Sequence, residues 1–362
     1  MAWTLDFLDT FTHHPVTTSG VTLYGKWSSL NGTSAPVTIA EDGLQGIKPQ
    51  DLRRVLLGST SGRIVGCRVF PTLFVNGSST LLALFGGASF WITYDELSTE
   101  ITLNRPAGGP ITSALITLPS LQGANLELAA WCDGADAHYE VRVDGVQIAD
   151  LTGSVPLVSS PTLDTISPSF GGGSGVSFST YAWVWSKKYS GSGGIWSASD
   201  FLGNVRRGVQ YADADGLFDA QEVGANWQPN SGSDFFSRLN ETLIDGDTTQ
   251  ISTTADPDDS PTNADRASWT LEDSAADIAT IKAVQRCTTI RAPSGTNDVK
   301  LFTRVDTDAD PANIALDAEF SVSSGWSIKQ TIYAVDPRDS VSWSKSKLDS
   351  LELGIETQDL VA

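Results

Sequence analysis

Aspartates at alternate positions are the residues of this chain whose spacing comes closest to a metal-binding motif. Three stretches show this spacing, with which calcium-binding loops begin: Asp213 with Asp215, Asp245 with Asp247, and Asp306 with Asp308 and Asp310. An EF-hand loop also needs Gly at its sixth position and Glu at its twelfth, where the third stretch has Pro311 and Asp317. We therefore expect no cofactor, and a looser surface calcium site stays open beside the ordinary role of Asp in turns.

Hydrolytic chemistry has no residue pattern to carry it. A retaining glycoside hydrolase holds two carboxylates about 5–5.5 Å apart, and the nearest cluster, Asp95, Glu96 and Glu100, does not have the alternation along one strand that would do this. The histidines are His13, His14 and His138. Adjacent histidines on a strand point to opposite faces, so His13 and His14 make a poor metal-binding pair. The chain also lacks a Gly-x-Ser-x-Gly elbow for a nucleophilic serine. We expect a protein that is not an enzyme, with an unusual glycan hydrolase as a third-ranked alternative.

The 11 tryptophans could either stack on sugar rings or fill a hydrophobic core. Most lie inside predicted strands, where we expect them to be core residues; these include Trp91, Trp131, Trp183 and Trp185. Trp27, Trp196 and Trp227 border predicted loops instead. Because an aromatic ring beside a loop is well placed to contact a partner, we predict these three as interface or ligand-contact residues.

The elements that must position these residues are short strands. Residues 126–131 and 139–143 alternate apolar and polar side chains, as half-buried strands do. Asp144-Gly145 follows, and an Asp-Gly pair between alternating strands predicts a hairpin. About a dozen such strands without a convincing helix predict two stacked antiparallel sheets up to residue 188.

A Ser/Gly-rich run at residues 190–194 predicts a hinge, so we place one domain at 1–195 and a second at 200–362. In the second half, strands at 278–290 and 299–305 are predicted to form a hairpin around residues 293–298. A short helix at 344–351 is predicted from a capping Ser344, with Gly354 where the chain leaves it. The fold class predicted is all-β: two antiparallel, jelly-roll-like β-sandwich domains in tandem with one short C-terminal helix.

Charge and cysteine content exclude several classes of function. Lys and Arg total 23 against 43 Asp and Glu, a net charge of −20, which disfavours nucleic acid and anionic membranes as partners. Residues 206–362 hold 13 basic and 27 acidic residues, so most of the negative charge lies in the second half. Cys67, Cys132 and Cys287 are odd in number and far apart, so we expect unpaired, buried thiols and no zinc site.

The first half of the chain resembles the concanavalin A-like lectin and glucanase jelly rolls. The resemblance rests on residues 139–143, on Asp144-Gly145-Val146 and on a closing run at 181–185. It covers about half of the chain, and it implies a fold rather than a function.

The second half resembles a β domain found in bacteriophage virion proteins. Five pieces occur in the same order as in that family: residues 201–203; 227–229 with Gly232; 245–247; 281–285; and Trp343 with Leu348, Leu351 and Gly354. One departure is the absence of an aromatic residue soon after Thr248, where this chain has Thr249-Gln250-Ile251.

The two resemblances together imply a non-enzymatic structural protein of a phage virion. Its expected role is a decoration, fibre or adhesion component attached to capsid or tail, in a virion assembled in the host cytoplasm. The expected partners are other virion proteins and further copies of the chain. The alternative is a carbohydrate-binding module that contacts host surface glycans, for which an exposed aromatic shelf would be the structural sign.

Overall fold

The computed structural model describes residues 3–9, 29–31, 36–38, 45–47, 51–56, 60–74, 78–86, 89–95, 98–105, 109–117, 121–157, 163–168, 177–189, 196–218, 227–230, 232, 235–239, 250–253, 265–292, 296–306, 308 and 310–358. The chain divides into two compact units, Met1–Arg207 and Gly208–Ala362. Within the described residues, no helix is both long enough and apolar enough to cross a bilayer.

The first unit consists of strands. They are β1 (Trp3–Asp9), β2 (Ser29–Asn31), β3 (Pro36–Thr38), β4 (Gln45–Ile47), β5 (Asp51–Val55), β6 (Gly62–Phe74), β7 (Ser78–Gly86), β8 (Phe90–Asp95), β9 (Glu100–Arg105), β10 (Gly109–Leu115), β11 (Ala124–Cys132), β12 (Asp136–Val143), β13 (Val146–Pro156), β14 (Leu163–Ser167) and β15 (Ser177–Tyr189). A single 3-10 turn follows at Ala198–Asp200.

Two antiparallel sheets form a sandwich in this unit. The eight-stranded sheet has the order β13-β12-β11-β6-β15-β4-β3, with β1 also paired to β15; the seven-stranded sheet has the order β10-β9-β8-β7-β14-β5-β2. Apolar side chains at alternate positions of both sheets meet in one core, for example Val65 and Leu128 from one sheet and Ile92 from the other. This confirms the predicted all-β sandwich architecture.

The predicted hairpin at Asp144-Gly145 is confirmed. β12 and β13 pair antiparallel on either side of it, and both turn residues have positive φ, 51° for Asp144 and 80° for Gly145. Two successive positive φ angles define the tight turn whose twist matches that of the flanking strands, and Asp-Gly is the pair that tolerates it.

The eight-stranded sheet also carries a second apolar cluster, on the face that points away from the sandwich core. Its buried members are Trp3, Ile64, Phe70, Ala129, Ala182, Trp183, Trp185 and Phe201. Residues 196–207, which we call the strap, supply Phe201 and pack Trp196, Leu202 and Val205 against the others. Residues 200–207, placed by the sequence analysis at the start of the second domain, therefore belong to the first unit.

The second unit contains shorter elements. Its strands are β16 (Ala212–Asp215), β17 (Trp227–Pro229), β18 (Ile251–Thr253), β19 (Arg266–Leu271), β20 (Val284–Ile290), β21 (Thr296–Val305), β22 (Ala315–Leu316), β23 (Phe320–Ser323), β24 (Ser327–Tyr333) and β25 (Leu351–Gln358), and its helices are α1 (Phe236–Leu239) and α2 (Lys345–Asp349). One six-stranded sheet has the order β16-β19-β25-β21-β22, with β23 also on β21, and β17-β18 and β20-β24 form separate pairs.

The hairpin predicted around residues 293–298 is wrong. β20 pairs along its whole length with β24, from Val284 opposite Tyr333 to Ile290 opposite Ser327. β21 instead pairs with β25, β22 and β23. β20 and β21 therefore lie in different sheets, and Ile290 and Val299 contribute to the core of this unit from one sheet each.

The structure confirms the short C-terminal helix but not the helix end predicted at Gly354. Ser344 caps α2 by accepting the N–H of Lys347 with its side chain. Gly354, however, lies in the middle of β25. A Cβ added at Gly354 would lie 2.0 Å from the ring of Phe302, so this glycine provides room for an aromatic ring across the sheet rather than a helix end.

The cysteines are free thiols, with Cys67 and Cys132 buried in the first core. Cys287 is exposed, which corrects the expectation that all three are buried. Its strand, β20, lies in a two-stranded sheet, and its side chain points away from Arg286 and its buried contacts because neighbouring residues of a strand face opposite sides.

Candidate functional site

The three tryptophans predicted as contact residues differ in their places in the structure. Trp27 lies outside the described residues. Trp227 is only 6% exposed, its indole N–H donates to the carbonyl of Asp265 at 3.0 Å, and it packs in the core of the second unit. Trp196 is half-buried at the start of the strap, and its indole N–H donates to Glu140 Oε2 at 2.5 Å.

The tryptophans expected in the core also divide. Trp183 and Trp185 are buried, although they lie beneath the strap rather than between the two sheets. Trp91 and Trp131 are only half-buried. Because their neighbours Ile92 and Ala130 point into the sandwich core, the two rings lie on the outward faces of the two sheets.

Trp131 and His138 form what we call the aromatic shelf, on neighbouring strands of the eight-stranded sheet. They are directly opposite in the register of β11 and β12, and their rings stack with centroids 5.4 Å apart and planes 29° apart. Gly62 on the other neighbouring strand makes room for the indole, since a Cβ there would lie 2.7 Å from Trp131 Cδ1. Glycine thus lets the ring lie against the sheet.

A carboxylate borders the shelf. Asp133 Oδ2 lies 2.9 Å from His138 Nε2, and its Oδ1 accepts the N–H groups of Ala135 and Asp136. The hydrogen bond from His138, followed by those from the two backbone N–H groups, lowers the pKa of Asp133 to about 2. Of the residues the structure describes, none accepts the indole N–H of Trp131. The shelf therefore places an aromatic ring surface, a hydrogen-bond donor and a carboxylate next to one another.

Further along the same face, charged side chains hold the strap in place. Glu140 Oε1 accepts from Arg142 Nε at 2.6 Å, while its other oxygen binds Trp196. The Arg142 guanidinium lies over the ring of Phe201, with its carbon 4.0 Å from the ring centroid. Glu127 Oε1 accepts the N–H of Leu202 at 2.8 Å. Alternation of apolar and polar residues predicts half-buried strands here, but β11 is buried on both faces because the strap covers it.

Glu127 and Glu140 are both buried carboxylates on this face of the eight-stranded sheet. Glu127 has no exposed surface and Glu140 only 6%. Each is bonded to the strap, so neither is available to protonate a leaving group or activate a water. Their hydrogen bonds attach the strap to the eight-stranded sheet rather than prepare the carboxylates for acid–base chemistry.

The second unit also has a buried glutamate that accepts a backbone N–H, on its six-stranded sheet. Arg304 Nη1 lies 2.9 Å from Glu352 Oε2 with both side chains fully buried. Glu352 Oε1 accepts the N–H of Leu217, and the guanidinium groups of Arg304 and Arg266 lie over the ring of Phe218. Sequence reasoning missed this network, although Glu352, Gly354 and Glu356 alternate along one strand.

A pocket of about 320 Å³ lies in the second unit. Its charged side chains are Asp336, Arg338, Asp339 and Lys347. Arg338 binds Asp336 and donates to three carbonyls, those of Arg304, Lys347 and Ser350, and Lys347 binds Asp339 at 2.6 Å. The four charged side chains that line the pocket are thus all paired.

The aspartates considered as calcium ligands form no cluster that could hold a metal ion within the described part of the chain. Asp308 accepts from the N–H of Asp310 and from Asn313, and Asp310 accepts from the N–H of Ala312. These are the bonds of a folded turn. Asp245 and Asp247 lie outside the described residues.

No family model and no curated protein matches this chain. Among solved structures, domain 4 of AbnA, a GH43 extracellular arabinanase from Geobacillus stearothermophilus, is 15% identical over 55% of this chain and 97% of its own, with a TM-score of 0.34. A carbohydrate esterase from the Shiga toxin-encoding bacteriophage phi24B is 13% identical over 51% of this chain and 100% of its own, with a TM-score of 0.33.

Trypanosoma rangeli sialidase in complex with sialic acid is 15% identical over 48% of this chain, with a TM-score of 0.33, and only 31% of the sialidase is covered. A GH43 glycoside hydrolase is covered over 35% of its length. The chain thus spans about a third of these enzymes. Likenesses this weak carry no argument about activity or partners, and the sandwich architecture rests on the strands themselves.

Proposed function

We propose that this protein is a non-enzymatic structural component of a bacteriophage particle, attached to the capsid or tail and acting through its surfaces. The resemblance of the second half to a virion β domain suggests the particle. One structural observation supports the absence of catalysis: four buried glutamates on the outward sheet faces, Glu127, Glu140, Glu352 and Glu356, are bonded within their own unit.

Mass spectrometry and cryo-electron microscopy of the purified particle whose genome encodes the chain test this proposal. We expect the intact chain in the particle at a fixed copy number, in density attached to capsid or tail. Absence of the chain from purified particles would overturn the structural role. New reducing ends released from host polysaccharide by the wild-type protein, and lost in Glu140→Gln, would overturn the non-enzymatic assignment.

Glycan binding is the second candidate function, and the aromatic shelf favours it. His138 contacts both groups: its ring stacks on the half-buried Trp131 ring, and its Nε2 is hydrogen-bonded to the Asp133 carboxylate. A pyranose ring stacked on the indole could donate a hydroxyl hydrogen bond to the carboxylate, because ligand sites combine aromatic surface with a few well-placed polar groups.

Calorimetric titration with host surface polysaccharide tests the second candidate. Trp131→Ala should abolish binding, while Trp91→Ala, which removes a half-buried indole from the other sheet, should leave it unchanged. Equal loss in both variants would assign the effect to stability rather than to a site. Wild-type protein that binds no polysaccharide would eliminate this candidate.

A further inference from the structure

The strap is held on the first unit without being part of a sheet. None of residues 196–207 is in a strand. The strap is held instead by side chains: Lys187 Nζ donates to the Asp200 carbonyl at 2.5 Å, Asn125 Nδ2 to that of Val205 at 3.0 Å, and Arg207 Nη1 to the Ala182 carbonyl at 2.7 Å. A segment held by separate contacts rather than by a strand ladder can detach without unfolding the sheet beneath it.

Glu127 is the centre of this attachment. Its side chain has no exposed surface, and Oε1 accepts the N–H groups of both Leu202, at 2.8 Å, and Gly203, at 3.2 Å. Its second oxygen, Oε2, is buried and receives no hydrogen bond from any described residue. A buried carboxylate with one unpartnered oxygen is costly to keep ionised.

The charged groups around Glu127 are committed elsewhere. From β12, Arg142 binds Glu140; from β15, Lys187 binds the strap carbonyl of Asp200; from β6, Arg68 reaches the carbonyl of Val205 at 3.4 Å. The strap itself contributes Asp200 and Arg207. None of these forms an ion pair with Glu127 in the described structure. By contrast, the buried Glu352 of the second unit has Arg304 as its ion-pair partner.

We propose that residues 196–207 are a releasable strap whose attachment is controlled by the ionisation of Glu127. The neutral carboxylic acid keeps a carbonyl oxygen for the two strap N–H groups and buries no charge. The carboxylate accepts the same bonds but leaves a buried charge without an ion-pair partner. Detachment of the strap lets water reach that charge, which favours the open state once Glu127 is ionised.

The direction of the pH dependence follows from burial. Burial raises the pKa of Glu127, and the hydrogen bonds from Gly203 and Leu202 together with the charges of Arg142 and Lys187 offset this only in part. The closed state therefore holds the proton more tightly than the open state. Strap attachment is strongest below the ordinary glutamate pKa and weakens as the pH rises towards the raised pKa of the closed state.

Release would have two effects on the molecule. It would uncover the apolar face formed by Ile64, Trp183 and Trp185, which are buried in the closed state. It would also free the strap as extended chain, whose full length before Gly208 is about 40 Å at about 3.4 Å per residue. An apolar surface and a longer tether would then appear together.

Hydrogen exchange measured by mass spectrometry on peptides covering residues 196–207 tests the strap in the full-length protein. Wild type is compared with Glu127→Gln at each pH between about 4.5 and 8, so that intrinsic exchange rates cancel. Glutamine keeps the acceptor oxygen and cannot ionise. We expect similar exchange at the acid end, and a wild-type rate that rises relative to Glu127→Gln by up to about tenfold per pH unit within the titration window.

Two further variants make the result decisive. Glu127→Ala removes the acceptor for both N–H groups and should exchange fast at every pH, and Glu100→Gln, on the other sheet, should behave as wild type. A ratio of wild type to Glu127→Gln that stays constant across the pH range would overturn the proposal. So would faster exchange in Glu127→Gln than in wild type throughout, and both comparisons stand even if Glu127→Ala does not fold.

Discussion

Arg304 and Glu352 form an ion pair with no solvent-exposed side-chain surface, with 2.9 Å between Nη1 and Oε2. The two residues face each other on β21 and β25, where Arg304 is directly opposite Glu352 in the register. Glu352 also receives the N–H of Leu217 through its other oxygen. The pair therefore joins two central strands of the six-stranded sheet to the segment that crosses them.

Replacing Glu352 with Gln should strongly destabilise the second unit, because it leaves the Arg304 charge buried without its partner. We expect a loss of about 3–5 kcal/mol in the free energy of unfolding. Urea titrations of the full-length protein, fitted with a separate transition for each unit, measure it. The matched control is Glu319→Gln, which removes the partly exposed partner of Lys300 and should cost below about 1 kcal/mol. Equal losses in the two variants would contradict the assigned role of burial.

Gly354→Ala should also destabilise the second unit. The added methyl group would lie 2.0 Å from Phe302 Cζ, so the ring must move within a packed sheet, at a cost of about 1–3 kcal/mol. Gly325→Ala is the control, because a Cβ there meets no atom within 4 Å. A thermal scan compares the two variants. If Gly354→Ala unfolds at the wild-type temperature, the packing of the Phe302 ring does not require glycine at position 354.

Thiol reactivity should distinguish Cys287 from the other two cysteines. Cys287 is exposed, whereas burial raises the pKa of Cys132, with a smaller contribution from Asp133, to about 11, and burial raises that of Cys67 further. We expect one thiol to react with a disulfide reagent in the native protein and three after denaturation without reductant. Cys287→Ser should remove the native signal. Three fast-reacting thiols in the native protein would contradict the burial of Cys67 and Cys132.

Acid should abolish the contribution of Asp133 to stability. Its pKa is lowered to about 2, mainly by the hydrogen bond with His138, so the folded state favours the carboxylate. A depressed folded-state pKa gives stability that is present above the ordinary aspartate value and lost as the pH falls towards 2. Asp133→Asn should therefore be less stable than wild type at pH 7 and equal to it near pH 2. A difference between the two proteins that does not depend on pH would rule out this linkage.

Local features of the fold could be predicted from the sequence because few residues determine them. The Asp144-Gly145 turn needs two positive φ angles, and the α2 start needs a capping side chain at Ser344. The pairing of β20 with β24 was missed because strand partners depend on packing across the whole unit. Residues 293–298 have the composition of a hairpin turn, and that composition does not determine which strand pairs with β20.

The candidate site was harder to predict for a related reason. Period-two alternation shows which face of a strand is polar, but it does not show whether another segment covers that face. Glu127 and Arg142 were read as solvent-facing positions of half-buried strands, and both contact the strap. Trp196 was selected because it borders a loop, and its actual role depends on Glu140, which lies far away in sequence.

The strap has a practical consequence for anyone who divides this chain into fragments. A fragment ending at residue 195, just after the glycine-rich run, would lose Trp196 and Phe201 and bare the indoles of Trp183 and Trp185. Such a fragment should aggregate, because a contiguous apolar patch on a soluble domain seeks a partner. Extending the fragment to Arg207 keeps that surface covered, so the useful cloning boundary lies beyond the glycines.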